Sequence, residues 1–158
     1  MANYSHSKLS TFENCRQKYK FCYIDGIRFE GAKAAHLVLG GVVHKVLEKL
    51  YTNLKYNKTD SLKELMAYFD KEWKKEWTED VINPKEKEGI TEEHFKAMGK
   101  KYVEAYYNHY TPFNQVKVLG IETTDRLKLK DGSLYAIKMD KFACDGTTYY
   151  VCDYKTDL

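Results

Sequence analysis

The stretch MDKFACDGTTYYVCDYKT, residues 139–156, decides the fold that we predict for this chain. Two runs of β-forming residues flank Asp145-Gly146, a dipeptide that strongly indicates a hairpin with a two-residue turn. In that register Asp140 lies opposite Val151 and diagonal to Asp153, on the same face of the sheet. The predicted hairpin therefore brings two carboxylates together.

The residues before this hairpin predict a further strand and a second turn. From Gln115 onward the apolar pattern has a period of two, and strand-like runs flank Asp131-Gly132. We predict three antiparallel strands, over about residues 116–130, 133–144 and 147–155. Together they form a meander in the carboxyl-terminal part of the chain.

The first two thirds of the sequence predict helices, because apolar residues recur there at steps of three and four. Ser7 caps the first predicted helix, whose buried stripe consists of Phe12, Cys15, Tyr19 and Cys22. The second predicted helix spans about residues 37–55. Asp60 or Ser61 caps the third, and the fourth runs from Thr91 to Pro112. At the same helical spacings we interpret Trp73, Trp77, Tyr102, Tyr106, Tyr107 and Tyr110 as core residues rather than base-stacking platforms.

Bulk composition favours one folded domain over residues 1–158. The chain is 43% hydrophobic and 15% aromatic, and its net charge of +3 permits but does not indicate nucleic-acid binding. No apolar run approaches the roughly 20 residues that a membrane helix needs, and the first residues lack the pattern of a signal peptide. We expect an intracellular protein with no membrane partner, whose four cysteines are free thiols.

The D-x-K spacing of Asp153 and Lys155 indicates phosphodiester chemistry when it is combined with Asp140. Alternate residues of a strand share a face, so the two carboxylates and the lysine converge. Carboxylates bind Mg²⁺ or Mn²⁺, and an ammonium can orient the attacking water. Taken alone, a D-x-K pair on an exposed strand is more often an ordinary surface ion pair.

The same residues resemble the PD-(D/E)XK nuclease superfamily, with Asp140 as the first acid and residues 153–155 as the (D/E)XK element. Two further motifs resemble RecB-type and CRISPR-associated members. SHSKLSTFENCRQKYKFCYIDG, residues 5–26, is similar to their S-x-L-x-x-(F/Y)-x-x-C helix, and GGVVH, residues 40–44, matches their G-x-x-x-H motif. The resemblance implies an α/β restriction-endonuclease-like core with a helical amino-terminal half.

It also implies a function, which is a metal-dependent deoxyribonuclease acting in DNA end processing, recombination or repair. Asp140, Asp153 and His44 would bind Mg²⁺ or Mn²⁺, and Lys155 would position or activate the attacking water. Gly40 lies one helical turn before His44 and leaves room beside the imidazole for a metal or a phosphate. The implied partners are DNA and a helicase or another recombination or CRISPR protein.

Two candidates depend on features that the sequence leaves open. Some relatives add a glutamate on the first strand, but the two-residue turn predicts that Glu122 faces Lys141, opposite to Asp140, unless a bulge intervenes. Some relatives also bind an iron–sulfur cluster through the position of Cys15 and three later cysteines. Those three are absent, so we predict no cluster and interpret Cys15, Cys22, Cys144 and Cys152 as core or near-core thiols.

The match departs from the resembled family at its carboxyl end. Relatives continue past the DYKT stretch into a further strand and a helix, so we expect this domain to lack both, as a fragment or as a short protein that a partner completes. An exposed sheet edge would then favour homo-oligomers. The alternative function is a catalytically incomplete nucleic-acid-binding or protein-interaction fragment of such a nuclease.

Overall fold

The computed structural model describes residues 3–27 and 33–156. The helices of this part are α1 (His6–Asn14), α2 (Arg16–Tyr19), α3 (Ala35–Lys55), α4 (Leu62–Glu76) and α5 (Glu92–Tyr110), with a π-helical turn over Lys20–Ile24 and a 3₁₀ turn over Glu86–Glu88. The strands are β1 (Asn3–Ser5), β2 (Lys117–Lys128), β3 (Leu134–Cys144) and β4 (Tyr149–Cys152). This is the mixed α/β class predicted from the sequence. No helix in the described ranges is long and apolar enough to cross a membrane.

The described residues fall into two compact units, 3–27 with 122–139, and 33–121 with 140–156. In the first, β1 pairs parallel with the beginning of β3, with Asn3 beside Leu134. In the second, β4 pairs antiparallel with the end of β3, with Lys141 beside Cys152. The strand order is β1-β3-β2, and β4 also pairs with β3. The sequence analysis missed β1, since three residues are too few to show a period.

The predicted first helix is wrong in its cap and in its buried stripe. Ser5, not Ser7, caps α1, because the Ser5 hydroxyl accepts the backbone N–H of Lys8. Cys15 has an extended backbone, with φ −158°, and separates α1 from α2. This break interrupts the helical period on which the stripe depended, and Phe12 is 44% exposed.

The three long helices follow the prediction closely and form the core of the second unit. Buried residues of α3 recur along one face, including Val43, Leu47 and Leu50. Ser61 caps α4 through a capping box with Glu64. Phe69, Trp73 and Trp77 stack along α4, which confirms the interpretation of the two tryptophans as core residues. Of the tyrosines of α5, Tyr102, Tyr106 and Tyr107 pack against the core, and Tyr110 is 38% exposed.

Gly99 on α5 lies where this helix packs tightly against side chains of α3 and α4. A Cβ there would lie 2.6 Å from Cζ of Phe69 and 2.8 Å from Cδ1 of Leu39, both fully buried. Since neither neighbour can move into solvent, only glycine fits this helix crossing.

We therefore expect Gly99→Ala to destabilise the protein by about 1–3 kcal/mol, as overpacking of a core does, although alanine is the better helix former. The matched control is Gly41→Ala on α3, where a Cβ meets no atom within 4 Å. That change should stabilise by up to about 1 kcal/mol. Urea unfolding measures both free energies, and stabilisation by both substitutions would contradict the packing.

Both hairpin turns differ from the prediction, the first in length and the second in position. The Leu129 N–H donates to the Ser133 carbonyl, which closes a three-residue loop. In the second hairpin Cys144 pairs with Tyr149, and the Asp145 N–H donates to the Thr148 carbonyl, so the turn lies at Gly146 and Thr147. The Asp145 carboxylate accepts the backbone N–H groups of Thr147 and Thr148 and holds this turn.

The two changes in the turns affect the candidate acids Asp140, Asp153 and Glu122 differently. The second register moves by two positions and, continued beyond β4, places Asp140 opposite Asp153 instead of Val151. An even shift keeps every side chain of β3 and β4 on its predicted face. In the first hairpin Glu122 has φ +47° and forms an ion pair with Lys138 at 2.6 Å.

Candidate active site

The candidate site lies within the second unit, where three segments meet. His44 projects from α3, Asp140 from β3, and Asp153 and Lys155 from the residues that follow β4. Helix and strand fix the first two side chains, while the last two depend on how the Asp153–Thr156 segment is held.

Tyr154 holds that segment through its backbone. Its N–H donates to Oδ2 of Asp140 at 2.7 Å, and its carbonyl oxygen lies 2.9 Å from Nε2 of His44. A carbonyl only accepts, so this contact assigns the imidazole proton to Nε2. Both bonds are side chain to backbone, and they dock the D-x-K element on the acid of β3 and the histidine of α3.

In this tautomer Nδ1, the other ring nitrogen of His44, carries a lone pair instead of a proton. Nδ1 lies 3.6 Å from Oδ2 of Asp140, a carboxylate that is only 9% exposed. In the neutral imidazole the Nδ1 lone pair faces the carboxylate oxygen, an arrangement that a cation or a proton between the two would stabilise. A metal-binding histidine usually donates its other ring N–H to a carbonyl or a carboxylate, as His44 does here.

Asp153 and Lys155 form an ion pair at 2.6 Å, and both side chains are more than half exposed. The hydrogen bond from Lys155 is the main cause that lowers the pKa of Asp153, and a further lowering comes from its interaction with Asp140. Two ionised carboxylates that share a site repel each other, and a metal ion between them would offset that repulsion.

The donor set fits a hard divalent cation. Asp140 and Asp153 would supply carboxylate oxygens, and His44 would supply an imidazole nitrogen, with the ring proton on the other nitrogen. Carboxylates suit Mg²⁺ and Mn²⁺, and the imidazole makes the site more favourable for Mn²⁺.

The remaining predicted site residues are Gly40 and Glu122. A Cβ on Gly40 would lie 3.0 Å from Oγ1 of Thr156, so this glycine admits the Asp153–Thr156 segment close to α3. Room there for a metal or a phosphate stays a prediction. Glu122 belongs to the first unit and pairs with Lys138; its catalytic role likewise stays a prediction.

The interpretation of all four cysteines as core or near-core thiols needs one correction. Cys15 is exposed, because it lies at the break between α1 and α2, and its Sγ accepts the N–H of Lys18. Cys22, Cys144 and Cys152 are half-buried, and all four are free thiols. The prediction that Cys15 binds no iron–sulfur cluster stays a prediction.

Sequence reasoning did not assign a role to Tyr154, the middle residue of D-x-K. Its ring is largely buried and lies edge-on to His44, with ring centroids 5.6 Å apart. The alternation rule placed it on the face opposite Asp153, which was the available sign that it packs inward.

Comparisons with known proteins agree with this geometry at the level of the family. No curated protein and no solved structure matches the chain significantly. The family model described as the PD-(D/E)XK nuclease superfamily matches residues 3–157, nearly the whole sequence. The chain therefore belongs to the PD-(D/E)XK nuclease superfamily.

Proposed function

We propose that this protein is a divalent-metal-dependent deoxyribonuclease of the RecB type that acts on DNA ends in recombination, repair or CRISPR-associated processes. The observation that carries the proposal is the docking of Tyr154 between Asp140 and His44, which holds the D-x-K residues beside the acid of β3. Membership of the superfamily supports a nuclease, and the RecB-type motifs around residues 7–15 and 40–44 support the narrower class.

In this proposal Asp140, Asp153 and Nδ1 of His44 would hold Mg²⁺ or Mn²⁺. When bound, the metal would polarise a phosphoryl oxygen and lower the pKa of a coordinated water. The chain's own contribution is to keep the three donors in place through the backbone of Tyr154 and the buried position of Asp140.

Lys155 would position the attacking water or a phosphate oxygen. Its ammonium is about two thirds exposed and is held at Asp153 by the 2.6 Å ion pair, so it can reach solvent and substrate without leaving the acid. An ammonium donates up to three hydrogen bonds, which suits it to hold a water molecule or a phosphate oxygen.

DNA is the proposed partner, with a helicase or another recombination or CRISPR protein as candidates for assembly. Homo-oligomers are proposed through β4, for which the described strands show pairing with β3 alone. Tyr149 and Val151 of that strand are 68% and 65% exposed, which favours association along its edge.

Purified protein should cleave linear DNA with Mn²⁺ or Mg²⁺ and show no cleavage in EDTA. Titration calorimetry with Mn²⁺ measures metal binding independently of DNA. A folded protein that neither binds Mn²⁺ nor cuts DNA would leave the proposed activity without support and favour the binding fragment instead.

A further inference from the structure

Lys141, the residue after Asp140 on β3, has a buried ammonium group. The residue is 6% exposed, and its Nζ donates to the hydroxyl oxygens of Tyr51 and Tyr106, at 3.1 Å each. Those two hydroxyls also bond to each other at 2.7 Å. Helices α3 and α5 thus meet β3 at one cation.

Aromatic rings surround the same ammonium. Its Nζ lies 4.2 Å from the ring centroid of Tyr51, and 5.6 to 6.0 Å from those of Tyr110, Tyr106 and Tyr154. Among residues 3–27 and 33–156, no carboxylate forms an ion pair with Lys141. Burial raises the pKa of Tyr51 and Tyr106, so both hydroxyls stay protonated and offer the cation neutral oxygens only. We call these four tyrosines the tyrosine cage.

A buried cation without a carboxylate is a poor choice for stability alone. Its desolvation opposes folding, and burial accordingly lowers the pKa of Lys141. A methionine of similar length fills such a site without that penalty, and replacing buried charges by apolar residues is often neutral or stabilising. Stability alone therefore does not explain why a lysine occupies this position.

The contacts of α3 supply one reason. His44 and Tyr51 are seven residues apart and so lie on one face of this helix. His44 faces Asp140 and Tyr51 binds Lys141, so one helix face contacts two consecutive residues of β3. Without the ammonium, the second of these contacts is lost and β3 can shift along α3.

Tyr154 links the cage to the site directly. Its ring lies edge-on to Tyr106 at 5.7 Å and to His44 at 5.6 Å, while its backbone binds Asp140 and His44. Any movement of the cage therefore displaces the backbone groups that hold the acid and the imidazole.

We propose that Lys141 is a positioning residue of the metal site, whose caged ammonium fixes Asp140, His44 and the backbone of Tyr154 relative to one another. This inference rests on the proposed nuclease function, because it assigns Lys141 a role in that same site. Lys141 itself contacts neither metal nor substrate in this proposal.

Three variants test it, with Mn²⁺ alone as the calorimetric probe and linear DNA for kinetics. Lys141→Met removes the charge, Lys141→Arg keeps it, and Lys100→Met is a matched control whose ammonium pairs with Asp70 at 2.8 Å. We expect Lys141→Met to keep or raise the melting temperature, to weaken Mn²⁺ binding about 10–100-fold, as loss of an outer-shell partner does, and to lower kcat while KM changes little. Lys141→Arg should recover most of the loss, and Lys100→Met should bind Mn²⁺ like the wild type.

The outcomes separate this inference from the proposed function. A lower melting temperature for Lys141→Met with unchanged Mn²⁺ affinity and kcat would show a structural role and overturn the inference, while the nuclease proposal stands. Wild-type protein that binds no Mn²⁺ would overturn both. If Lys141→Met does not fold, Tyr51→Phe decides, because it removes one hydroxyl from the ammonium and keeps the ring. Weaker Mn²⁺ binding by folded Tyr51→Phe supports positioning, and wild-type affinity contradicts it.

Discussion

Asp153→Ala is expected to abolish metal-dependent cleavage of linear DNA and to weaken Mn²⁺ binding by at least about 100-fold, the upper end of what loss of an outer-shell partner costs. The substitution removes one of two carboxylates that would neutralise the cation. Asp153 is 61% exposed and its ion pair with Lys155 is at the surface, so the fold should survive the change.

Two controls distinguish lost chemistry from lost folding. Asp80→Ala removes the same charge from an exposed residue outside the site and should leave Mn²⁺ affinity unchanged. Cys22→Ser should retain cleavage and cost about 1 kcal/mol of stability, because Cys22 is half-buried rather than part of a buried stripe.

Circular dichroism confirms folding of each variant before the assays. Should the wild type itself cut no DNA, Mn²⁺ affinity becomes the measurement. Equal affinity in wild type and folded Asp153→Ala would remove Asp153 from the site.

The long elements of this fold could be predicted because each one buries a stripe along its whole length. The face of α3 that carries Val43, Leu47 and Leu50 is visible in the sequence as a helical period and is buried in the structure. The prediction of the first helix was wrong for the opposite reason. Its apolar residues keep the spacing, but the extended backbone of Cys15 breaks the rotation between them, and no period can show such a break.

The register of the two hairpins was predicted less well than the elements themselves. The sequence Asp145-Gly146 indicates a two-residue turn at those residues, yet Asp145 pairs with Thr148 and its side chain binds the backbone two and three residues ahead, so the turn lies at Gly146 and Thr147. The error of two positions leaves Asp140 and the residues of β4 on their predicted faces. In the first hairpin the loop differs by one residue and Glu122 has a positive φ, so the predicted register does not hold there.

Contacts between segments far apart in sequence could not be predicted from local sequence patterns. The cage around Lys141 joins residues of α3, α5 and β3, and the pairing of β1 with β3 joins residues some 130 positions apart. Neither contact produces a local pattern in the sequence, because each residue would suit its own helix or strand equally well if it packed against other residues. The sequence thus predicts the candidate site residues, and the structure adds the contacts that hold them in place.

His44→Ala is expected to weaken Mn²⁺ binding by about 10–100-fold and to weaken Mg²⁺ binding much less. The reason is the imidazole nitrogen, which is a better ligand for Mn²⁺ than for the strictly oxygen-preferring Mg²⁺. With Nε2 donating to the Tyr154 carbonyl, Nδ1 is the nitrogen that would bind. The ratio of the two affinities therefore reports whether the ring touches the metal.

A ring that only supports Tyr154 gives a different result. It would lower both affinities by the same factor, because the Asp153–Thr156 segment would loosen for either metal. His94→Ala, an exposed histidine in the first turn of α5, is the matched control and should bind both metals like the wild type. Calorimetric titration of the three proteins with each metal decides between ligand and support. An unchanged ratio of Mn²⁺ to Mg²⁺ affinity in folded His44→Ala would exclude His44 from direct coordination and leave the two carboxylates as the metal ligands.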